Sequence, residues 1–351
     1  MVVEAPTQHA LHVRRARGNG GQTTIEWLAL MAGIVVLCAA LTASLPSVAG
    51  AITYRVACLI SAVASDSGCA AAGAGTAGPS DASGGERRIY DADGNLIRET
   101  GDEPSGNAEA DAAYDNFGRV YDYYHSRFGR DSYDDMGAPL IGTVNYPAAC
   151  SGGAYWDPQQ QQMFFCEGFA GPLDVTAHEV THAVTERTAG LDYEGESGAL
   201  NEALSDIFAS NLDGNWQIGE DLPGGAIRDM ADPDRDATNP DDCPDDGGFC
   251  QPAHVDDYYV TDNDHGGVHT NSGIPNHAYY LMVQRIGREA SERIVYAAMT
   301  EHLNHDSGFE DFRAACLQAA RDRYGTDSPE YRGVDEAFRE VGLDGTWEAP
   351  S

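Results

Sequence analysis

The chain has 351 residues, of which 42% are hydrophobic, which is enough for a two-lobed globular part with an appendage. Its formal net charge is −35, from 56 acidic and 21 basic residues, and it contains no lysine. Because so acidic a chain is repelled by the phosphates of nucleic acids, we expect no nucleic-acid partner.

The N-terminal part contains an uncharged stretch, residues 27–54, which is long enough to cross a bilayer as a helix. Arg14, Arg15 and Arg17 precede it, so the positive-inside rule predicts a cytoplasmic N-terminus and an extracytoplasmic remainder. Residues 66–86 are rich in Gly, Ala and Ser, which predicts a flexible linker. The predicted segments are a basic cytoplasmic leader (1–21), a transmembrane segment (22–54) and a linker (55–86).

The sequence GGQTTIEWLALMAGIVVL at this stretch resembles the processing site and first helix of type IV, Flp-like pilins. A prepilin peptidase would cut after Gly21, leaving Gln22 as the first residue and Glu26 as the fifth. An ordinary membrane anchor, or a secretory signal cut near residues 47–51, explains the same stretch. Attachment to the membrane beside pilus or secretion machinery and secretion after N-terminal processing therefore both remain open.

Residues 87–173 predict a strand-rich lobe, from alternating stretches such as RIYDADG and LIGTVNY and a hairpin before residue 165. One helix interrupts the strands near residues 108–129. Its predicted buried stripe consists of Ala112, Phe117, Val120 and Tyr124.

Residues 174–351 predict a helical lobe. Its first helix covers 174–189, and Gly190 is its predicted C-terminal cap. Further helical patterns cover 199–212, 272–285, 289–303, 308–324 and 329–341. The predicted fold class is therefore α+β with two lobes, and the helix over 174–189 lies between them.

That helix carries a metal-binding pattern. His178 and His182 are four residues apart, so they project from one face and can bind one Zn²⁺, and Glu179 reaches the same cleft. Glu202, in the next predicted helix, can supply a carboxylate ligand. Two histidines and one glutamate leave a coordination position for water, which is typical of catalytic zinc and indicates a zinc hydrolase.

Several motifs resemble, in order and spacing, those of the thermolysin family of metalloproteases. They are HEVTH (178–182), Tyr193, GALNEALSD (198–206), RDMADP (228–233) and DHGGVHTNSGI (264–274). AYW (154–156) resembles the edge-strand motif of that family, and residues 89–137 resemble the start of its shorter, protealysin-like members. The resemblance covers roughly residues 87–351 and implies a two-lobed thermolysin-like fold and zinc-dependent endopeptidase activity.

The resemblance also implies roles around the zinc. Glu179 is the base that takes a proton from zinc-bound water. His269 and Tyr193 stabilise the oxyanion, Asp264 orients His269, and Asp206 hydrogen-bonds a zinc-binding histidine.

On the substrate side, Arg228 binds a substrate carbonyl, and Ala154 and Trp156 pair with an extended peptide as with an added strand. Gly153 is a departure, because the family usually has Asn there. The pocket for a bulky apolar residue just after the scissile bond is lined by Val175, Ile218 and Ile227.

Four acidic residues match, wholly or approximately, positions that hold structural calcium in the family: Asp174, Asp213, Glu220 and Asp221. Solvated acidic loops explain the same residues in so acidic a chain. We expect one calcium ion rather than two.

The cysteines predict three local disulfides and thus an oxidising, extracytoplasmic location. The pairs are Cys58–Cys69, Cys150–Cys166 and Cys243–Cys250. Zinc binding is the competing interpretation, although no pair has CxxC spacing. Cys38 falls in the uncharged stretch, and Cys316 is predicted to be a buried helix thiol.

Three functions are compatible with these patterns. The first is a membrane-tethered, extracytoplasmic zinc endopeptidase. The second is a pilin-like surface component whose protease-like domain acts as a binding head, and the third is a protease dedicated to pilus processing. The first is favoured over the second because every zinc ligand and Glu179 are present, whereas the sequence does not separate the first from the third.

Overall fold

The computed structural model describes residues 84–234 and 250–350. The predictions for the leader, the uncharged stretch and nearly all of the linker lie outside these ranges, as do those for four of the cysteines. Among the described residues, no helix is both long enough and apolar enough to cross a membrane.

A five-stranded mixed sheet forms the first lobe. Its strands are β1 (Arg87–Tyr90), β2 (Leu96–Glu99), β3 (Leu140–Thr143), β4 (Ala154–Asp157) and β5 (Gln162–Phe165). The spatial order is β2-β1-β3-β5-β4, with β1, β3 and β5 parallel and the two outer strands antiparallel to their neighbours. Strand β4 therefore lies at an edge, and within the described residues only β5 pairs with it.

Helix α1 (Ala108–Phe128) packs against β1 and buries most of the predicted stripe. The buried members of that stripe are Phe117, Val120 and Tyr124. Ala112 is only half-buried, because the stripe continues at a four-residue step to Ala113, which is fully buried.

The rest of the described chain is helical apart from a short hairpin. Its helices are α2 (Leu173–Glu186), α3 (Gly195–Asp213), α4 (Asp264–Asn271), α5 (Gly273–Ile286), α6 (Arg288–Ala297), α7 (Phe309–Tyr324) and α8 (Pro329–Glu340). Strands β6 (Gln217–Ile218) and β7 (Arg228–Asp229) pair antiparallel. The helix predicted over 289–303 is α6 followed by a wider π-helical turn, Ala298–His302.

Helix α2 lies between the lobes and contacts α1, β4 and α3. Twelve of its residues are buried, as in a helix enclosed by protein. The Tyr124 hydroxyl hydrogen-bonds Thr181 Oγ1 at 2.8 Å, and its ring packs against Phe208 with centroids 5.6 Å apart. The predicted two-lobed α+β architecture is thus confirmed.

Helix α2 ends three residues earlier than predicted. It ends at Glu186, and Gly190, in the left-handed conformation (φ 64°), donates its N–H to the Thr185 carbonyl at 2.7 Å. Gly190 thus closes the end of the helix with the conformation that glycine adopts without strain. The early end places the Glu186 side chain at the helix C-terminus.

One of the predicted disulfides is present in full. Cys150 and Cys166 are bonded, with Cα atoms 4.8 Å apart, so the 3₁₀ turn Pro147–Ser151 is joined to the end of β5. Cys250 is also disulfide-bonded, and its predicted partner lies outside the described residues. Cys316 is a free thiol buried in α7, as predicted.

Candidate active site

Helices α2 and α3 bring two histidines and a carboxylate together. His178 Nε2 lies 3.3 Å from Glu202 Oε2, and His182 Nε2 lies 3.3 Å from Glu202 Oε1. The three candidate ligand atoms all lie within 4.8 Å of one another, and two imidazoles with one carboxylate suit Zn²⁺. Glu179 Oε2 is buried in the same cleft and has no hydrogen-bond partner among the described residues. The residues therefore fit a zinc ion and leave Glu179 free for chemistry.

The other ring nitrogen of each histidine is held by a side chain from α3. His178 Nδ1 lies 2.9 Å from Asp206 Oδ1, and His182 Nδ1 lies 2.9 Å from Asn201 Oδ1. Because each oxygen accepts the Nδ1 proton, both Nε2 atoms are directed to the metal position. Asn201 was not assigned a role from the sequence, although it directly precedes Glu202 in GALNEALSD.

Asp206 is the centre of a buried polar network. Its carboxylate accepts hydrogen bonds from Arg228 Nε (3.0 Å) and Nη2 (2.8 Å), and from Asn276 Nδ2 (2.8 Å). Burial alone would raise the pKa of Asp206, but Arg228 and His178 together lower it to about 2. Arg228 also lines the cleft, and its Nη1 makes no hydrogen bond within the described residues. Asn276 was not anticipated either.

The charges around the metal position are strongly coupled. Burial by itself lowers the pKa of His178, yet Glu202 and Asp206 raise it to about 10, and the histidines hold the pKa of Glu202 well below its usual range. Burial raises the pKa of Glu179, and His178 and His182 partly offset this. Zn²⁺ binds the neutral imidazole, so protons compete with zinc for His178 and zinc affinity falls as the pH falls.

A strained turn at the start of α4 orients His269. Asp264, His265, Gly266 and Gly267 all have positive φ angles between 50° and 84°, which is unfavourable for the first two. The turn places Asp264 Oδ1 2.7 Å from His269 Nδ1, while Asp264 Oδ2 accepts the His269 backbone N–H at 2.8 Å. The predicted pairing of Asp264 with His269 is thus present in the geometry.

His269 and Tyr193 converge on the metal position. The Tyr193 hydroxyl donates to Glu202 Oε1 at 2.5 Å and lies 3.4 Å from His269 Nε2. Burial and the Glu202 charge raise the pKa of Tyr193 far above its ordinary value, so it remains an O–H donor. Burial lowers the pKa of His269, but Glu202 and Asp264 reverse this and leave it raised. Both side chains can therefore donate hydrogen bonds to a negatively charged oxygen.

These side chains line one cleft of about 1400 Å³. Besides the zinc ligands and Glu179, the cleft brings together most of the predicted site residues. They are Ala154, Trp156, Val175, Tyr193, Ile218, Ile227, Arg228, Asp264 and His269. Asp206 lies behind the cleft wall and is fully buried, and its contacts with the cleft lining are made to His178 and Arg228.

The residues predicted to bind calcium lie outside the cleft lining. Asp174 is buried at the N-terminal end of α2, where it accepts the backbone N–H groups of Val175 and Gly219. Burial raises the pKa of Asp174 to about 6, and Glu220 and Asp213 add to this effect. Asn215, which the sequence analysis did not assign a role, joins Asp213 and Glu220, because its amide donates hydrogen bonds to both carboxylates. Glu220 Oε2 is buried without a hydrogen-bond partner among the described residues, as expected of an oxygen that ligates a cation.

Gly153, just before β4, has no space for a side chain. Its φ is 88°, and a Cβ there would lie 2.1 Å from Phe169 Cε1. We expect Gly153→Ala to cost about 2 to 4 kcal/mol of unfolding free energy in urea denaturation, from backbone strain plus the clash. Gly94→Ala is the matched control, because Gly94 has φ 81° and open space, so it should cost only about 1 kcal/mol. Equal losses for the two variants would contradict the clash.

Two family models match the chain: the thermolysin metallopeptidase catalytic domain over residues 75–186 and the thermolysin metallopeptidase alpha-helical domain over 189–343. Bacillolysin from Bacillus amyloliquefaciens is 38% identical over 275 residues, covering 74% of this chain and 49% of that protein. Thermolysin from Alicyclobacillus acidocaldarius subsp. acidocaldarius is 40% identical over 264 residues, covering 67% of this chain and 45% of that protein. The chain thus spans about half the length of these curated relatives.

Among solved structures, the precursor of protealysin from Serratia proteamaculans is similar, with a TM-score of 0.64 and 34% sequence identity. The match covers 74% of this chain and 87% of that one. The two family models together include both lobes and every residue of the zinc site. This chain belongs to the thermolysin family of metallopeptidases.

Proposed function

We propose that this chain is a zinc-dependent endopeptidase that hydrolyses peptide bonds in extended substrates. The observation that carries this proposal is the free, buried Glu179 Oε2 beside the three convergent zinc ligands. Zn²⁺ in such a site lowers the pKa of bound water towards neutrality and polarises the substrate carbonyl.

The side chains of the cleft then have distinct tasks. Glu179 takes the proton of the attacking water and passes it to the leaving amine. His269 and Tyr193 donate hydrogen bonds to the carbonyl oxygen as it becomes negative. Arg228 keeps Nη1 available for a substrate carbonyl while Asp206 fixes its other donors.

Substrate binding is supported by the edge position of β4. Its outer backbone groups can pair with an extended peptide, so Ala154 and Trp156 would hold the substrate across the zinc. Val175 and Ile218 are buried in the cleft wall and Ile227 is partly exposed beside them. This apolar end favours a bulky apolar residue just after the scissile bond.

The test is cleavage of casein by the purified full chain. Activity should disappear when zinc is removed with 1,10-phenanthroline and return when zinc is added back. If the folded, zinc-loaded chain cleaves neither casein nor a diverse peptide mixture, the proposal is wrong and a binding function is favoured.

We also propose that the enzyme works outside the cytoplasm, tethered by residues 27–54. The Cys150–Cys166 disulfide supports an oxidising compartment, and the uncharged stretch supports the tether. Recovery of the chain in the soluble fraction of lysed cells, with its N-terminus intact, would contradict the tether.

A calcium ion is proposed at the carboxylate cluster of Asp174, Asp213 and Glu220. In zinc-loaded protein, millimolar calcium should raise the melting temperature at pH 7.5 by about 5 °C. The shift should shrink at pH 5, because Asp174, with its pKa near 6, is then protonated and no longer a charged ligand. Differential scanning calorimetry measures both shifts.

The variant Asp213→Asn should lose most of the calcium-dependent shift. Asp322→Asn, which changes an exposed aspartate that contacts Gln318 and Arg321 on its own helix, should keep the shift. A melting temperature that does not respond to calcium in the unmodified protein would show that the cluster is a solvated acidic loop.

A further inference from the structure

The cleft has two chemically different ends, because it runs along α2. Val175 lies near the N-terminus of this helix and Glu186 is its last residue, so about 16 Å of helix separates them. The zinc ligands lie between the two. Apolar side chains line the end near Val175, whereas Glu186 lines the other end together with Trp156 and Leu191.

Glu186 is held in place but keeps one oxygen available. Its Oε2 accepts a hydrogen bond from Trp156 Nε1 at 2.6 Å. Its Oε1 faces only Arg187 within the described residues, at 3.9 Å. Both of these side chains are about one-third exposed, so solvent screens the pair and it holds Glu186 weakly.

The surroundings of Glu186 favour a positive charge. The C-terminal end of α2 carries partial negative charge on its last carbonyls. The Trp156 ring lies beside the carboxylate and lines the cleft, and aromatic faces attract guanidinium and ammonium groups. A carboxylate beside an indole face offers an Arg or Lys side chain both a charge-assisted hydrogen bond and a cation–π contact.

We infer that this end of the cleft is a subsite for a basic side chain on the amino side of the scissile bond, with Glu186 as its specificity-determining residue. The inference rests on the proposed function, since the end near Val175 must receive the residue after the scissile bond. Substrates would then combine a basic residue before the cleaved bond with an apolar residue after it.

The test uses matched fluorogenic peptides that carry one Arg, or Gln in its place, at each of the three positions before the cleaved bond. At one position the unmodified enzyme should prefer Arg by roughly fivefold in kcat/KM, mainly through KM. Glu186→Gln still accepts the Trp156 hydrogen bond but loses the charge, so the ratio should fall to about one. Glu186→Arg should instead favour a peptide with Glu there. Glu289→Gln, an exposed glutamate on α6, should keep the preference for Arg.

A preference for Arg that survives in Glu186→Gln would overturn the inference. An equal loss of kcat/KM for every peptide in this variant would also overturn it, because that result indicates only a structural contact with Trp156. Equal cleavage of all peptides by the unmodified enzyme would overturn the inference and leave the proposed function intact. If the zinc-loaded enzyme cleaves none of them, the proposed function fails and the inference fails with it.

Discussion

Replacing Glu179 by Gln will lower kcat/KM for peptide hydrolysis by about a thousandfold while the protein still binds zinc. The amide has the size of the carboxyl group but cannot take a proton from water. Glu179 Oε2 makes no hydrogen bond within the described residues, so little of the surrounding structure depends on it. The measurement is steady-state cleavage of a fluorogenic peptide together with the zinc content of the same sample.

The same substitution should not destabilise the protein. Burial raises the pKa of Glu179, which means that the folded site disfavours its charged form, and the neutral amide avoids that cost. The melting temperature of the metal-free variant should therefore equal or exceed that of the unmodified chain at pH 7, as expected where function and stability conflict. Glu289→Gln is the control, because it makes the same substitution at an exposed glutamate outside the cleft. A zinc-loaded Glu179→Gln enzyme with activity within tenfold of the original would rule Glu179 out as the base.

The zinc site could be predicted from the sequence because its geometry is local. The four-residue step from His178 to His182 fixes their relative position on any helix, and the family motifs supplied Glu202 on the neighbouring helix. The overall fold could also be predicted from local patterns, because apolar residues alternate as in strands in the first lobe and recur at helical spacing in the second. The stripe on α1 was misassigned at Ala112 because alanine is small enough to fit on either side of the buried face.

Asn201 and Asn276, two further polar residues that hold the site, could not be predicted from the sequence. Asn276 lies 70 residues from Asp206, and its amide shows no periodic pattern that would mark it. Asn201 has a closer partner, but an asparagine on a helix gives no sign of whether it faces solvent or His182. The positive φ of Asp264 is likewise set by tertiary packing and by the two glycines that follow it.

Replacing Asp206 by Asn should destabilise the metal-free protein by about 3 to 5 kcal/mol in urea unfolding. Asp206 is fully buried and is the ion-pair partner of the Arg228 guanidinium, which is itself buried, so the amide leaves that charge uncompensated. His178 also loses its carboxylate acceptor, and zinc affinity should fall by roughly 10 to 100-fold. Asp322→Asn, at an exposed site, should change neither quantity appreciably.

The pH dependence of stability distinguishes the contribution of the Asp206 charge from that of the size and shape of its side chain. Its pKa in the folded protein is about 2, below the value of 3.8 for an unperturbed carboxyl, so its ionised form stabilises the fold above pH 4. That stabilisation, about 2 kcal/mol for the pKa difference, is lost as the pH falls from 4 to 2. The gap in stability between the unmodified chain and Asp206→Asn should therefore narrow over this range, because only the unmodified chain loses the charge. A gap that stays constant with pH, or a variant within 1 kcal/mol of the original at pH 7, would show that the buried Arg228 is compensated by other groups.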